Sequence, residues 1–153
     1  MYERENCSAA RALEVVGERW SLLIIRNAAF AGMTRFSEFE RRLGIASNVL
    51  AKRLDGFVAD GLMELRAAAD GSPGTEYILT RKGHELGLVV MALTAWGDRW
   101  AAPDGPPIRF EHGACGGPVR PVAECESCGH TPDITEVTAA PGPGARAEPS
   151  LSG

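Results

Sequence analysis

Long hydrophobic runs, histidines and aromatic residues are all scarce in this 153-residue chain, which has three histidines and 7% aromatic residues. No stretch approaches the roughly 18 consecutive apolar residues that a membrane-spanning helix needs, so no such helix is expected. The first residues, Met1 to Glu5, lack the basic-then-apolar order of a secretory signal. We therefore expect a cytoplasmic protein with no membrane partner. In that compartment, four cysteines indicate thiols or metal ligands rather than a disulfide framework.

Residue patterns typical of enzymes are also missing. The sequence shows no Ser/His/Asp trio, no glycine-rich phosphate loop and no pair of carboxylates suited to acid–base work. His84 and His112 have no catalytic partners near them in the sequence. A thiol enzyme built on Cys125 and Cys128 would need that pair at a helix N-terminus beside a βαβ unit, but proline and glycine surround it. We therefore expect no enzymatic activity.

Proline and charge divide the chain near residue 101. Nine of the ten prolines lie beyond it, and the segment after it supplies the whole formal net charge of −4. Because proline blocks helix continuation, 102–107 is predicted to be a linker. We expect a helix-rich domain over 7–101, a small appendage over 108–138 and a disordered tail over 139–153, which has too few apolar residues to order itself.

Apolar periodicity predicts that the first part is mainly α-helical with one small β-hairpin. Polar caps and glycine stops set the expected bounds, including a cap at Thr34 and another at Thr80. Helices are predicted over about 8–16, 19–31, 34–43, 47–59 and 80–100, and strands over Leu62–Ala67 and Glu76–Thr80.

Two consecutive helices joined by a short turn at Gly44 are typical of a helix-turn-helix, and the hairpin after them makes it winged. Apolar residues at i, i+4, i+7 and i+8 from Leu50 point inward, which leaves Ser47, Asn48 and Lys52 outward. Short polar side chains at a helix N-terminus suit base edges and phosphates in a major groove. The pattern therefore predicts a DNA-binding face.

Local charge supports that prediction. Residues 35–53 hold five basic side chains against the acidic Glu38 and Glu40, inside a domain that is otherwise neutral. The alternative is a solvated helix face with no partner. The predicted wing has only Arg66 near its tip, so a strong minor-groove contact is not expected there. The five basic residues are Arg35, Arg41, Arg42, Lys52 and Arg53.

Several linked strings over residues 7–100, in the correct order, resemble the HxlR-type transcriptional regulators. They are CSAA at 7–10, VVGERW at 15–20, RFSEF at 35–39, GIASNVLAKRL at 44–54, DGLM at 60–63 and YILTRKG at 77–83.

The resemblance implies a winged-helix regulator that binds double-stranded promoter DNA as a homodimer. Its terminal helices, here around 8–16 and 84–100, would build the dimer, and the large apolar stripe that ends in Trp96 and Trp100 agrees with this. An intramolecular core is the alternative for those tryptophans. The helix Ser47–Ala59 would be the recognition helix. Its implied DNA contacts are Ser47, Asn48, Ala51, Lys52 and Arg53. A winged-helix protein-interaction module is the alternative function.

Cys7 matches the N-terminal cysteine of this family, which senses oxidants or electrophiles in some members. The resemblance therefore implies a thiol switch, and a packing role is the alternative. A thiol at a helix N-terminus is more nucleophilic, and Arg4 and Arg11 would add to this. The effector itself is not indicated.

The appendage holds the other three cysteines in two similar spacings, His112-x2-Cys115 and Cys125-x2-Cys128. Each spacing suits two ligands of tetrahedral Zn²⁺, and glycines follow both pairs where a turn would wrap the metal. We predict a zinc-ribbon-like Zn²⁺ site with His112 or His130 as the fourth ligand. A reducible dithiol and a remnant that no longer binds metal are the alternatives.

Overall fold

The computed structural model describes residues 7–145, so Arg4 and the part of the expected disordered tail after residue 145 lie outside the described residues. The chain forms five α-helices and one hairpin within that range, followed by an irregular segment with a short 3-10 helix at Ile134–Glu136. The elements are α1 (Ser8–Val16), α2 (Ser21–Ala31), α3 (Phe36–Leu43), α4 (Ser47–Ala59), β1 (Met63–Ala67), β2 (Thr75–Leu79) and α5 (Arg81–Trp100). The predicted mainly helical winged helix-turn-helix is therefore correct in its elements and their order.

The core lies under α3 and α4. Leu50, Leu54 and Phe57 are the inward residues of α4, and each is at most 2% exposed. They belong to one cluster with Phe39 of α3 and Ile24 of α2. Gly44 adopts a left-handed conformation, with φ of 60°, between α3 and α4. This conformation is easiest for glycine, and it turns the chain sharply enough for the second helix to cross the first.

The hairpin is held to the helices at both ends. β1 and β2 pair antiparallel, with Met63 opposite Leu79. The Tyr77 N–H donates to the Thr34 carbonyl at 2.7 Å, so the backbone of β2 is joined to the chain just before α3. Thr80 Oγ1 donates to the Gly61 carbonyl at 2.7 Å and accepts from the Gly83 N–H at 3.2 Å. The predicted Thr80 cap is therefore confirmed, and the wing has a fixed base.

Three other helices do not begin with a hydroxyl cap like that of Thr80. Cys7 stands at the N-cap of α1, one residue before Ser8, and Ala46 stands at that of α4. At α3 the helix starts later than Thr34, because the Glu38 carboxylate accepts from the backbone N–H groups of Thr34 and Arg35, both at 2.9 Å. An acidic side chain within the first turn thus replaces the hydroxyl that the sequence suggested.

α5 crosses α2 through close glycine contacts. A Cβ at Gly83 would lie 2.2 Å from the Leu62 carbonyl oxygen, and one at Gly87 would lie 3.3 Å from the Phe30 ring. These glycines let α5 approach the hairpin base and α2 closely. The helix is therefore fixed on one side, and its opposite side faces away from the core.

Beyond α5, none of the described residues 101–145 is buried. The Phe110 ring contacts the Phe30 ring of α2, with centroids 4.7 Å apart, so this segment touches the helical domain at an aromatic pair. Glu111 and Pro118 form an isolated antiparallel bridge. Among the described residues, no helix is long and apolar enough to cross a membrane.

Candidate nucleic-acid interface

The first turn of α4 faces solvent, as its sequence pattern predicted. Ser47, Asn48 and Lys52 are all exposed, while Leu50 and Leu54 on the opposite side are fully buried. Because the buried residues fix the rotation of the helix, the polar residues cannot turn inward. The unpaired backbone N–H groups of a helix start lie beside them, and together they suit an anion or base edges.

A polar contact joins α4 to α3 at this surface. Ser47 Oγ donates to the Glu40 carboxylate across the turn. Glu40 therefore reduces the positive potential near the helix start while it orients the Ser47 side chain. Sequence reasoning missed this role, although Glu40 was visible seven residues before Ser47 as one of the two acidic side chains in the basic stretch.

Three of the predicted basic residues remain available to a ligand. Arg41, Arg42 and Lys52 are exposed, and within residues 7–145 the structure gives none of them an ion-pair partner. Arg41 and Arg42 lie in the last turn of α3, where they also complement the negative end of that helix. These three side chains are the strongest candidates for phosphate contacts.

Arg35 is placed differently, because its guanidinium is already occupied. Its Nη2 lies 2.7 Å from the Asp70 carboxylate and 2.8 Å from Ser72 Oγ, and its Nε lies 3.4 Å from Glu76. All three partners belong to the hairpin or its turn. Arg35 therefore ties the wing to the start of α3, and its acidic partners, Asp70 in the turn and Glu76 in β2, were not recognised as such in the sequence.

The same contacts shift the titration of Asp70. Hydrogen bonds from the Ser72 side chain and backbone, together with the charge of Arg35, lower the pKa of Asp70 from 3.8 to about 2. Asp70 also raises the pKa of Arg35. The wing attachment is therefore fully charged at neutral pH.

The remaining predicted contacts lie at the margins of the interface. Arg53 forms an ion pair with Glu18 at 3.1 Å, and its side chain is 21% exposed. Ala51 is half-buried, and Arg66 on β1 pairs with Glu64 on the same strand. Because Arg53 and Arg66 are ion-paired, the candidate interface has fewer basic side chains free for DNA than the count from the sequence suggested.

The candidate metal ligands lie in the segment after α5. His112 Nδ1 is 3.3 Å from Cys115 Sγ, and Cys125 is half-buried while Cys115 and Cys128 are exposed. Backbone N–H groups of Cys128 and Ser127 lower the pKa of Cys125. Within residues 7–145, no three His, Cys, Asp or Glu side chains form a group that could hold a metal ion. Cys7 is exposed beside α1, far from these residues in the sequence.

Comparison with known proteins places this geometry in a described family. The family profile of HxlR-like helix-turn-helix proteins matches residues 15–105. An HTH-type transcriptional regulator of Mycobacterium tuberculosis is 41% identical over 94% of this chain and 91% of its own length. Transcriptional regulators of this kind are not enzymes.

Solved structures show the same likeness. PA1607, a protein assigned as a transcription factor, superposes with a TM-score of 0.79 and 36% identity over 91% of this chain and 97% of its own. The redox regulator HypR, in its reduced form, superposes with a TM-score of 0.54 and 28% identity over 61% of this chain and 92% of its own. Because the first match covers far more than residues 15–105, the likeness to PA1607 extends into the segment after α5.

The wing attachment generates a testable pH dependence. Asp70 has a lowered pKa in the folded protein, so the stability it contributes is complete above pH 3.8 and is lost as the pH falls toward 2. Asp70→Asn should therefore lower the melting temperature above pH 3.8, and its difference from the parent should shrink on acidification. Thermal unfolding followed by circular dichroism across that range measures the difference.

The matched control is Asp104→Asn, which removes one exposed carboxylate after α5. It should show neither the loss above pH 3.8 nor the convergence. An Asp70→Asn melting curve that coincides with the parent's at neutral pH would show that Arg35 does not need this partner.

Proposed function

The chain belongs to the HxlR-like helix-turn-helix family, and from that premise we propose that it is a DNA-binding transcriptional regulator of the cytoplasm. It binds double-stranded DNA at a pseudo-palindromic promoter operator, and it does so as a homodimer. Each copy inserts the start of α4 into a major groove. The half-sites of such an operator lie about one helical turn, ~10 bp, apart.

The observation that carries this proposal is the polar first turn of α4. Ser47, Asn48 and Lys52 lie exposed there, while the buried residues of the same helix hold it rigidly. Arg41 and Arg42, which are also exposed, add positive charge at the end of α3. Side chains of these types bind base edges and phosphates, respectively.

The ion pairs of the wing limit its proposed contact with DNA. Arg66 is paired with Glu64, and Arg35 is engaged by Asp70 and Glu76. A wing with these partners has little free positive charge for a minor groove. The proposed complex therefore depends on α4 and on the end of α3, and the acidic wing is the feature that favours the alternative of a protein-interaction module.

Lys52→Ala tests the docking. Loss of one phosphate contact should weaken binding to duplex DNA regardless of sequence and should lower the slope of log K against log salt by about one unit. Fluorescence anisotropy with a labelled duplex at several salt concentrations measures both quantities, with the operator first selected from a random duplex pool.

Lys82→Ala is the matched control. Lys82 Nζ donates to the Asp60 carbonyl at 2.7 Å, so it lies at the end of α4 opposite to Ser47. This variant loses the same charge and should keep the parent's salt slope. Equal slopes for Lys52→Ala and the parent would contradict the docking, and absence of salt-sensitive DNA binding by the parent would favour the protein-interaction module.

The proposed dimer is supported by the outer side of α5. Large apolar side chains are exposed along it at helical spacing, among them Leu93 at 53%, Trp96 at 62% and Trp100 at 66%. Leu13 on α1 is also exposed, at 55%. Such a stripe on a helix whose other side packs on α2 is typical of a surface covered by a partner. A second copy is the partner that a two-fold operator requires.

Trp96→Glu tests the dimer. A charge at the centre of the stripe should shift the protein from dimer to monomer at micromolar concentration, because a buried unpaired carboxylate opposes association. Size-exclusion chromatography with light scattering measures the mass. Ile134→Glu, at an apolar residue 76% exposed in the segment after α5, is the control and should stay dimeric. A monomeric parent would overturn the dimer.

A thiol response at Cys7 completes the proposal. Cys7 is exposed at the N-cap of α1, where its carbonyl accepts from the Arg11 N–H at 3.1 Å. Its support is this accessible position at a helix start, together with the likeness to a redox regulator. Because α1 is one of the proposed dimer helices, modification of Cys7 would alter the dimer contact and with it the distance between the two recognition helices.

Diamide treatment tests the response. Mild oxidation should modify Cys7, as shown by mass spectrometry, and should lower the operator affinity of the parent at least several-fold. Cys7→Ser should keep its affinity under the same treatment, which separates this thiol from the three cysteines after α5. An unmodified Cys7 with unchanged affinity would remove the switch from the proposal.

A further inference from the structure

The two Cys/His pairs after α5 adopt the same local fold. In the first, the Gly116 N–H donates to the His112 carbonyl at 2.7 Å, and in the second the Gly129 N–H donates to the Cys125 carbonyl at 2.8 Å. Both glycines have φ of 69°, in the left-handed region. The two turns are therefore equivalent, although their sequences share only the spacing, the second ligand cysteine and the glycine after it.

A second hydrogen bond closes each turn in the same way. The His112 N–H donates to the Gly117 carbonyl at 2.8 Å, and the Cys125 N–H donates to the His130 carbonyl at 2.8 Å. In this alignment His112 stands where Cys125 stands in the second turn, whereas His130 is equivalent to Gly117. The geometry thus distinguishes the two histidines, which spacing alone did not.

Each turn brings its two candidate ligands together. His112 Nδ1 lies 3.3 Å from Cys115 Sγ, and the Cys128 side chain is within hydrogen-bonding reach of the Cys125 sulfur. Turns with two ligands three residues apart, closed by a left-handed glycine, suit half of a tetrahedral metal site. Within residues 7–145 the halves are not assembled into one group of three or more ligands.

The surrounding segment has no buried core of its own within the described residues. None of its described residues is buried, and Val119, Val122 and Ile134 are among its exposed apolar side chains. Its regular backbone consists of one isolated bridge and one short 3-10 helix. A segment of this size without a core needs a metal or another cross-link to order it.

We propose that residues 108–138 bind one Zn²⁺ ion through His112, Cys115, Cys125 and Cys128. The ion joins the two turns, and His130 contributes its backbone carbonyl to the second turn rather than its ring to the metal. Nine residues separate Cys115 from Cys125, a chain long enough when extended to span well over the ~4 Å between neighbouring ligands of zinc. Binding deprotonates the three thiols and releases their protons to solvent.

Zinc would also hold this segment against the helical domain. Phe110, two residues before the first ligand, packs against Phe30 of α2 with the ring centroids 4.7 Å apart and the ring planes tilted by 58°. Phe30 in turn lies against Gly87 of α5. A folded zinc turn at His112 therefore fixes the aromatic pair that connects the segment to the helices bearing the proposed dimer surface.

Elemental analysis of the full chain, purified under reducing conditions and dialysed against metal-free buffer, tests the site. About one zinc per chain is expected. Replacement with Co²⁺ should give the visible absorption of a tetrahedral thiolate site. His112→Ala and Cys125→Ser should each lose that spectrum or weaken zinc binding at least tenfold, while His130→Ala and Cys7→Ser should retain both.

Three outcomes would overturn the inference. The first is reduced parent protein that neither contains stoichiometric zinc nor acquires the cobalt spectrum. The second is a Cys125–Cys128 disulfide in metal-free protein that resists proteolysis after α5. The third, which overturns the ligand assignment, is loss of metal in His130→Ala with retention in His112→Ala. None of these readouts depends on DNA binding, so the zinc site and the regulator proposal fail separately.

Discussion

The burial of one face of α4 is the constraint on which the rest of the molecule depends. Leu50, Leu54 and Phe57 are almost completely removed from solvent, and each such side chain contributes roughly 1.5–3 kcal/mol in burial. Rotating the helix would expose all three, at a cost larger than any single contact to a nucleic acid provides. The polar side chains at the start of α4 are therefore presented to a ligand by the packing behind them.

Hydrophobic periodicity in the sequence predicts the helices and strands, but it does not predict which charged side chains pair. Apolar spacing located the five α-helices and the hairpin found in residues 7–145 but not the 3-10 helix at Ile134–Glu136, because burial of a regular face is a local pattern. Partners of charged residues are not local. Arg35 belonged to a basic stretch in the sequence, but its guanidinium meets Asp70, 35 residues later. Charge counts alone therefore overstate the candidate interface, since within the described part of residues 35–53 only Arg41, Arg42 and Lys52 are basic residues without an ion-pair partner.

Close backbone approaches form a second class that the sequence did not predict. Gly83 lies where any side chain would collide with the Leu62 carbonyl oxygen, only 2.2 Å from the position of a Cβ. Its place in a helix gives no sign of this, since glycine in a helix interior is ordinarily unfavourable. The need for glycine becomes visible only when the hairpin base is folded against α5.

Two regions of a single copy, the outer side of α5 and the segment after it, lack the internal packing that holds the rest of the fold. Trp96 and Trp100 of α5 are exposed because no described element of a single copy packs over that side of the helix. The segment after it forms two equivalent turns, and none of its described residues is buried. Exposed apolar side chains favour contact with another protein surface, whereas thiols and an imidazole at this spacing favour binding of a metal cation. Phe110 contacts Phe30 of α2, and Phe30 lies against Gly87 of α5, so the segment proposed to bind zinc is in contact with the packing of the helix that carries the proposed dimer surface.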